Sequence, residues 1–211
     1  MKYFPLYLKM DKIKVLIVGG GYIATEKLEK ILDFTTDITI ISPFICSEAQ
    51  EYIAHNNLSF CVRKYEKDDI KEFDLIVIAV DDLLLQKDIF DECKLYNKLC
   101  NSVDSVDYCN FIFPAYIKKG GLTVSISTSG KSPAIAKHIK SYLAKKIPDE
   151  IGDFLEHMDK LRNSLPKGKE RMEHLSKLAS DYFEQLEEIE HLNNLATNYF
   201  KEIEEQKKAN K

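Results

Sequence analysis

The residues of this chain best suited to hold an anion are Gly19, Gly20 and Gly21, followed by Tyr22, Ile23 and Ala24. They come straight after the apolar run Lys14–Val18, and a helical pattern starts at once behind them. That order, strand, tight turn, helix start, is what a dinucleotide-binding turn requires. Gly19 permits the turn, Gly21 leaves room for a pyrophosphate near the backbone, and Ala24 is the third small residue, where helix packs on strand. A phosphate would sit at the helix N-terminus, held by free N–H groups and the helix dipole. The competing reading is a glycine-rich turn that binds nothing.

Three further groups could carry chemistry. Asn101-Ser102-Val103-Asp104 closes a later apolar run. A carboxylate at such a strand end can act as a general acid or base, with Asn101 a candidate substrate contact. Aspartate also ends strands simply by bonding nearby backbone, and composition alone favours that plainer role. The stretch Ser127–Ser132 is rich in hydroxyls and opens a helix. Thr128, Ser129, Lys131 and Ser132 could hold carboxylates or phosphates there, or the stretch could be an ordinary N-cap loop with Ser132 as cap and Pro133 as first helical residue. Ser42 ends the second apolar run, the place where many NAD-binding units put an acid for the ribose hydroxyls. Its hydroxyl can bond a ribose, and no arginine follows closely to meet a 2′-phosphate, so NAD is expected over NADP. Ser42-Pro43 fits an ordinary strand-ending turn equally well. The pair Asp81-Asp82 reads as the start of a helix, stabilising its N-terminus.

The elements that must position these groups follow from periodicity. Strands are expected at Lys14–Val18, Ile38–Ile41, Phe60–Val62, Leu75–Val80 and Leu99–Val103. Helical segments lie between them at Tyr22–Phe34, Ser47–His55, a short stretch near Asp68–Phe73, and Leu83–Tyr96. The alternation predicts an α/β, Rossmann-type doubly wound parallel sheet, with Gly19, Ser42, Asp81 and Asp104 along its ligand edge. Near Phe113-Pro114 the pattern changes. Leu122–Ser127 alternates as a half-buried strand behind Gly120-Gly121, one arm of a hairpin or added sheet, and Ala134–Ile147 is helical. From Pro148 onward only helices are expected, with apolar residues from Ile151 to Leu165, from Met172 to Ile189 and from Leu192 to Ile203, and a frayed end at Glu204–Lys211. The domains are then residues 1–113, 114–147 and 148–211.

Composition narrows the function classes. The chain has 211 residues and a net charge of −4, which does not suggest a broad basic surface for nucleic acid. No apolar run is long enough to span a bilayer and none reads as a secretion segment, so neither a membrane nor export is expected. The five cysteines, Cys46, Cys61, Cys93, Cys100 and Cys109, form no C-x-x-C pair. Reduced thiols in a cytoplasmic protein are expected, with Cys61 and Cys100 as small core residues and no metal site. His138 stands alone, without a second histidine at metal-ligand spacing.

Taken as an ordered set, the entry Phe4-Pro5-Leu6-Tyr7-Leu8, the Val-Gly-Gly-Gly-x-x-Ala turn, Asn101–Asp104 followed by Phe111-Ile112-Phe113-Pro114-Ala115, and Val124–Pro133 resemble the precorrin-2 dehydrogenase family, the amino-terminal module of siroheme synthases. The likeness covers Phe4 to about Ile147; the tail agrees only in being helical. The resemblance implies NAD-dependent oxidation of precorrin-2 to sirohydrochlorin, with insertion of ferrous iron in some members. It implies that Asp104 is the catalytic group, taking protons from the macrocycle. It carries cofactor contacts onto Tyr22, Ile23, Pro43 and Phe44, acting largely through backbone and packing. It also implies a homodimer, with residues 114–147 as the small mixed dimerisation region, the 128–132 loop near the tetrapyrrole, and an all-helical C-terminal domain. Two departures stand out. The loop has Thr128-Ser129 where Ser-Gly or Ser-Thr is common, and the chain stops before the methyltransferase part of the fused synthases, so it is not expected to make precorrin-2 itself. Lys131 and Lys137 supply local positive charge for the substrate's carboxylates despite the acidic total. Two other readings use the same turn: a nucleotide-sensing regulatory module, which usually carries an acid where Ser42 stands, and a dehydrogenase for another substrate, which would call for a Lys-His or Tyr-x-x-x-Lys pair at a strand end, where none stands.

Overall fold

A computed structural model describes residues 3–103 and 105–188. Asp104, the expected helix Leu192–Ile203 and the end beyond it lie outside the described residues. The chain divides into two compact units, Met1–Pro114 and Ala115–Lys211.

The first unit is the expected doubly wound sheet. Its strands are β1 (Val15–Val18), β2 (Ile38–Ile41), β3 (Ser59–Cys61), β4 (Leu75–Ile78) and β5 (Leu99–Ser102), all parallel, in the order β3-β2-β1-β4-β5. β1 and β4 are continuous apolar runs because both their faces are covered, and every residue in them is buried. On one face, α1 (Tyr22–Leu32) and α2 (Ser47–Asn56) bury Ala24, Leu28, Ile31, Ala49 and Ile53 against Val15, Ile17 and Val77. On the other, α3 (Leu83–Leu95) sets Ile89 and Cys93 on Leu16, Ile76 and Ile78. The strand order reverses between β1 and β4, and ligands bind at the C-terminal edge of such a switch point.

Two expectations fail in β3 and the connection that follows it. The short helix near Asp68–Phe73 is a chain of turns. Asp68 has φ +79°, which a continuing helix does not allow, and its N–H donates at 2.6 Å to Oε1 of Glu92 on α3. Cys61, expected in the core, is exposed, since β3 is an edge strand uncovered on both faces. Cys100 is fully buried as expected. The connection is held by polar ties instead of helical bonds. Glu92 accepts from the Tyr65 hydroxyl at 2.6 Å as well as from Asp68, and Arg63 donates two bonds of 2.7 Å to the Asp69 carboxylate.

The second unit has an antiparallel hairpin, β6 (Ala115–Lys119) and β7 (Leu122–Ile126), turning at Gly120-Gly121 as the sequence indicates. It also holds α4 (Pro133–Lys146), α5 (Ile151–Ser164) and a further helix over residues 169–188. The Lys119 ammonium caps the C-terminal end of α4 by donating to the carbonyls of Ala144 and Ile147, and it pairs with Asp149 at 2.6 Å. Phe154 of α5 stacks on Tyr182, ring centroids 3.9 Å apart. No helix among the described residues is long and apolar enough to cross a membrane.

Glu92 is nine-tenths buried, and removing its carboxylate strands the Asp68 N–H and the Tyr65 hydroxyl. Glu92→Ala is expected to lower unfolding free energy by about 2 kcal/mol in urea denaturation. A midpoint equal to wild type would mean the 63–74 connection is held by other contacts.

Candidate functional site

The glycine turn is built by contacts of backbone on backbone. Gly19 has φ +123°, and a Cβ there would lie 2.1 Å from the Ala79 carbonyl oxygen beyond β4. Its N–H donates to Ile41 at the end of β2, at 2.9 Å. Gly20, to which spacing alone gave no separate role, is equally constrained. A Cβ on it would meet the Phe44 carbonyl at 2.3 Å, and its own carbonyl accepts from Cys46 N–H at 2.8 Å. Gly21 differs from both, because a Cβ there meets no atom within 4 Å. It is the N-cap of α1, in extended conformation, and no side chain caps the helix. Its carbonyl accepts from Thr25, while the N–H groups of Tyr22, Ile23 and Ala24 belong to the first turn, which has no intrahelical acceptor. An open, uncapped helix start over a side-chain-free residue fits a pyrophosphate. The Tyr22 and Ile23 side chains are exposed while Ala24 is buried, so it is the backbone of this turn that faces the anion site.

Beside the turn, a cleft of about 420 Å³ is lined by Gly19, Pro43, Lys64, Tyr65, Leu84 and Asp88, with Val18, Ile41, Val80, Asp82 and Leu85 completing it. It therefore collects the ends of β1 to β4. Phe44 stands two-thirds exposed next to Pro43. Ser42 is placed differently from a free ribose ligand. It is 5% exposed, and its hydroxyl donates to the Phe44 carbonyl at 2.5 Å and accepts from the Phe44 N–H at 3.3 Å. That geometry is the strand-ending turn. Asp82 caps α3 by accepting from the N–H groups of Leu84 and Leu85, as its position at a helix start indicated.

At the far side of the switch point, β5 ends under a set of polar ties. Gln86, 1% exposed on α3, donates to the Val80 carbonyl at 2.6 Å and accepts from the Ser102 hydroxyl at 2.9 Å, joining the ends of β4 and β5. The segment after β5 folds back along it. Asn101 donates to the Phe111 carbonyl at 3.0 Å, and Cys109 Sγ accepts from Ser102 N–H at 3.2 Å while lying 3.1 Å from the carbonyls of Ser102 and Ser105. Burial pushes the Cys109 thiol up, so it stays protonated at neutral pH. These contacts fix the backbone of Ser102 and Ser105. Asn101 is buried and tied to backbone. Gln86 and Cys109 escaped sequence reasoning, although an amide at the buried register of α3, three residues before Ile89, was a visible signal.

The 128–132 loop belongs to the second unit. Thr128 Oγ1 donates to the Ser132 carbonyl and accepts from the Ser132 N–H, both at 3.1 Å. Ser129 adopts φ +53°, its N–H donating to the Ser127 hydroxyl at 3.1 Å. Ser132 caps α4 through Ile135 N–H at 3.3 Å, with Pro133 next, as the sequence indicated. Lys131 extends its ammonium from an exposed position, and His138 is exposed. Among the described residues no cluster of three or more His, Cys, Asp or Glu side chains could hold a metal ion.

Fold and site together define a dinucleotide-binding protein of the doubly wound class. A family model described as putative NAD(P)-binding matches residues 6–115, and one for the central part of a sirohaem biosynthesis protein matches residues 119–151. The chain belongs to the precorrin-2 dehydrogenase family, which includes the amino-terminal module of siroheme synthases. It is 28% identical over 165 residues to the siroheme synthase of Pseudoalteromonas atlantica, covering 78% of this chain and 36% of that one. It is 30% identical over 152 residues to the siroheme synthase of Blochmanniella pennsylvanica, covering 72% and 32%. The chain thus spans about a third of the length of these relatives. Among solved structures, SirC, a precorrin-2 dehydrogenase, superposes with a TM-score of 0.71 at 26% identity, over 88% of this chain and all of that one.

Gly21→Asp separates folding from binding. A side chain there meets open space, and aspartate is a good N-cap, so thermal stability should hold or rise slightly. The same carboxylate would occupy and repel the pyrophosphate position. NAD affinity is expected to fall at least about tenfold in calorimetric titration. Wild-type affinity in this variant would move the phosphate site away from the turn.

Proposed function

We propose that this chain is an NAD-dependent dehydrogenase that oxidises precorrin-2 to sirohydrochlorin in siroheme biosynthesis. The observation that carries the reading is the uncapped start of α1 over the open face of Gly21, at the switch point of a fold shared with SirC over that protein's whole length. When bound, the nicotinamide supplies the hydride acceptor. The protein's part is to orient and to remove a proton. The first-turn N–H groups of α1 hold the pyrophosphate, and the cleft wall from Pro43 to Tyr65 receives the adenosine side. Asp104, which follows β5 in the sequence, takes the proton that leaves the macrocycle as the hydride departs, so the two hydrogens lost by the substrate are both accounted for.

The second unit supplies the rest of the proposed assembly. Ile135, Ile139 and Tyr142 recur on one side of α4 and are all exposed. That stripe supports a homodimer formed through residues 114–147, with residues 148–211 as a helical C-terminal domain. The 128–132 loop, with Lys131, takes substrate carboxylates. The five free cysteines accord with a cytoplasmic setting.

The test is anaerobic incubation of the purified chain with precorrin-2 and NAD, following the visible spectrum. Conversion to the sirohydrochlorin spectrum only when NAD is present is expected. Ferrous iron, as a substrate, is then added to the same cuvette to assay chelation. Asp104→Ala is expected to lower turnover by on the order of a hundredfold or more while NAD affinity stays within about twofold. NAD binding without any spectral change would overturn the substrate assignment. Normal turnover in Asp104→Ala would remove that carboxylate from the mechanism.

A further inference from the structure

The adenosine end of the cleft carries a cation that neither the turn motif nor the end of β2 announces. β3 pairs with β2 through Ile41 and Cys61, and Ser42 N–H donates to the Cys61 carbonyl at 3.1 Å. The chain leaving β3 therefore emerges beside Ser42-Pro43-Phe44, where a doubly wound fold places the adenosine ribose. Lys64 lies there and lines the same cleft as Gly19 and Pro43.

Its backbone is fixed from both sides. Arg63 is locked by its two bonds to Asp69, and it also donates to the Lys64 carbonyl at 2.9 Å. That pairing holds the Asp69 carboxyl below its ordinary range, so it stays charged across neutral pH. Tyr65 is anchored by its 2.6 Å bond to buried Glu92. Between these anchors the Lys64 side chain is exposed and forms no ion pair with another described residue. The carboxylates of the cleft stand on the α3 side. Asp82 is engaged in capping, and Asp88 lies further along that helix. The end of β2 offers no carboxylate to repel a phosphate, and the Ser42 hydroxyl is turned into its own loop.

We infer that Lys64 is a specificity-determining residue of the dinucleotide site: its ammonium meets the phosphate groups at the adenosine end and lets the cleft accept NADP alongside NAD. The inference rests on the dehydrogenase reading for the presence of a dinucleotide in this cleft. It changes what the β2 end alone suggests, since the cation for a 2′-phosphate comes from the segment that leaves the neighbouring strand.

Calorimetric titration of the full chain with NAD, NADP and adenosine 2′,5′-bisphosphate tests it. Wild type is expected to bind NADP within about tenfold of NAD. Lys64→Ala should weaken NADP and the bisphosphate by about fivefold to tenfold and NAD by less than about threefold. Lys64→Glu should widen that gap, and raising salt should narrow the difference between wild type and Lys64→Ala. A wild-type preference for NAD beyond about a hundredfold, or equal losses for NAD and NADP in Lys64→Ala, would overturn the inference while leaving the dehydrogenase standing if NAD still supports turnover. Absence of NAD binding to wild type would overturn both.

Discussion

Everything at the ligand edge depends on how closely three strand ends are brought together at Gly19 and Gly20. The main chain there runs against the carbonyls of Ala79 and Phe44 with no space for a side chain. This contact sets the distance between the ends of β1, β2 and β4. It also fixes where α1 begins, and hence where its unbonded N–H groups point. Gly21 serves the opposite purpose, because it borders empty space that a ligand can fill. The three glycines thus divide into two that let backbone meet backbone and one that leaves a surface open.

Around that turn, buried polar side chains do what additional secondary structure would otherwise do. Gln86 joins β4 to β5, Glu92 fastens the β3–β4 connection to α3, and Asn101 with Cys109 binds the return segment to β5. Among the described residues no buried side-chain nitrogen or oxygen lacks a partner. Such satisfied ties are specific in direction, and each one orients a loop that borders the site. The consequence is a sheet edge whose loops are irregular in conformation yet fixed in place, as a site that must orient a cofactor requires.

The larger pattern is legible in the sequence. Strand and helix positions in the first unit agree to within a residue or two, because buried parallel strands appear as continuous apolar runs and the helices carry a one-sided stripe. Expectation failed at Asp68–Phe73 and Cys61, both in the connection around β3. Asp68 takes a left-handed conformation to reach Glu92, a residue distant in sequence, and no local pattern reports such a bond. Cys61 follows an apolar residue in a short run, and only the sheet order reveals that its strand lies at an edge.

The sequence by itself determined the α/β architecture, the anion-binding turn and the family, since each depends on the types and spacing of residues that are neighbours along the chain. Tertiary structure alone decided which polar groups are available. It turned Ser42 and Asn101 toward backbone, made Gln86 and Cys109 supports of the site, and set Lys64 beside Pro43. The physical reason is that a hydrogen-bonding group is taken up by whatever acceptor or donor folding brings within about 3 Å of it, and those partners come from strands and helices far apart in the sequence.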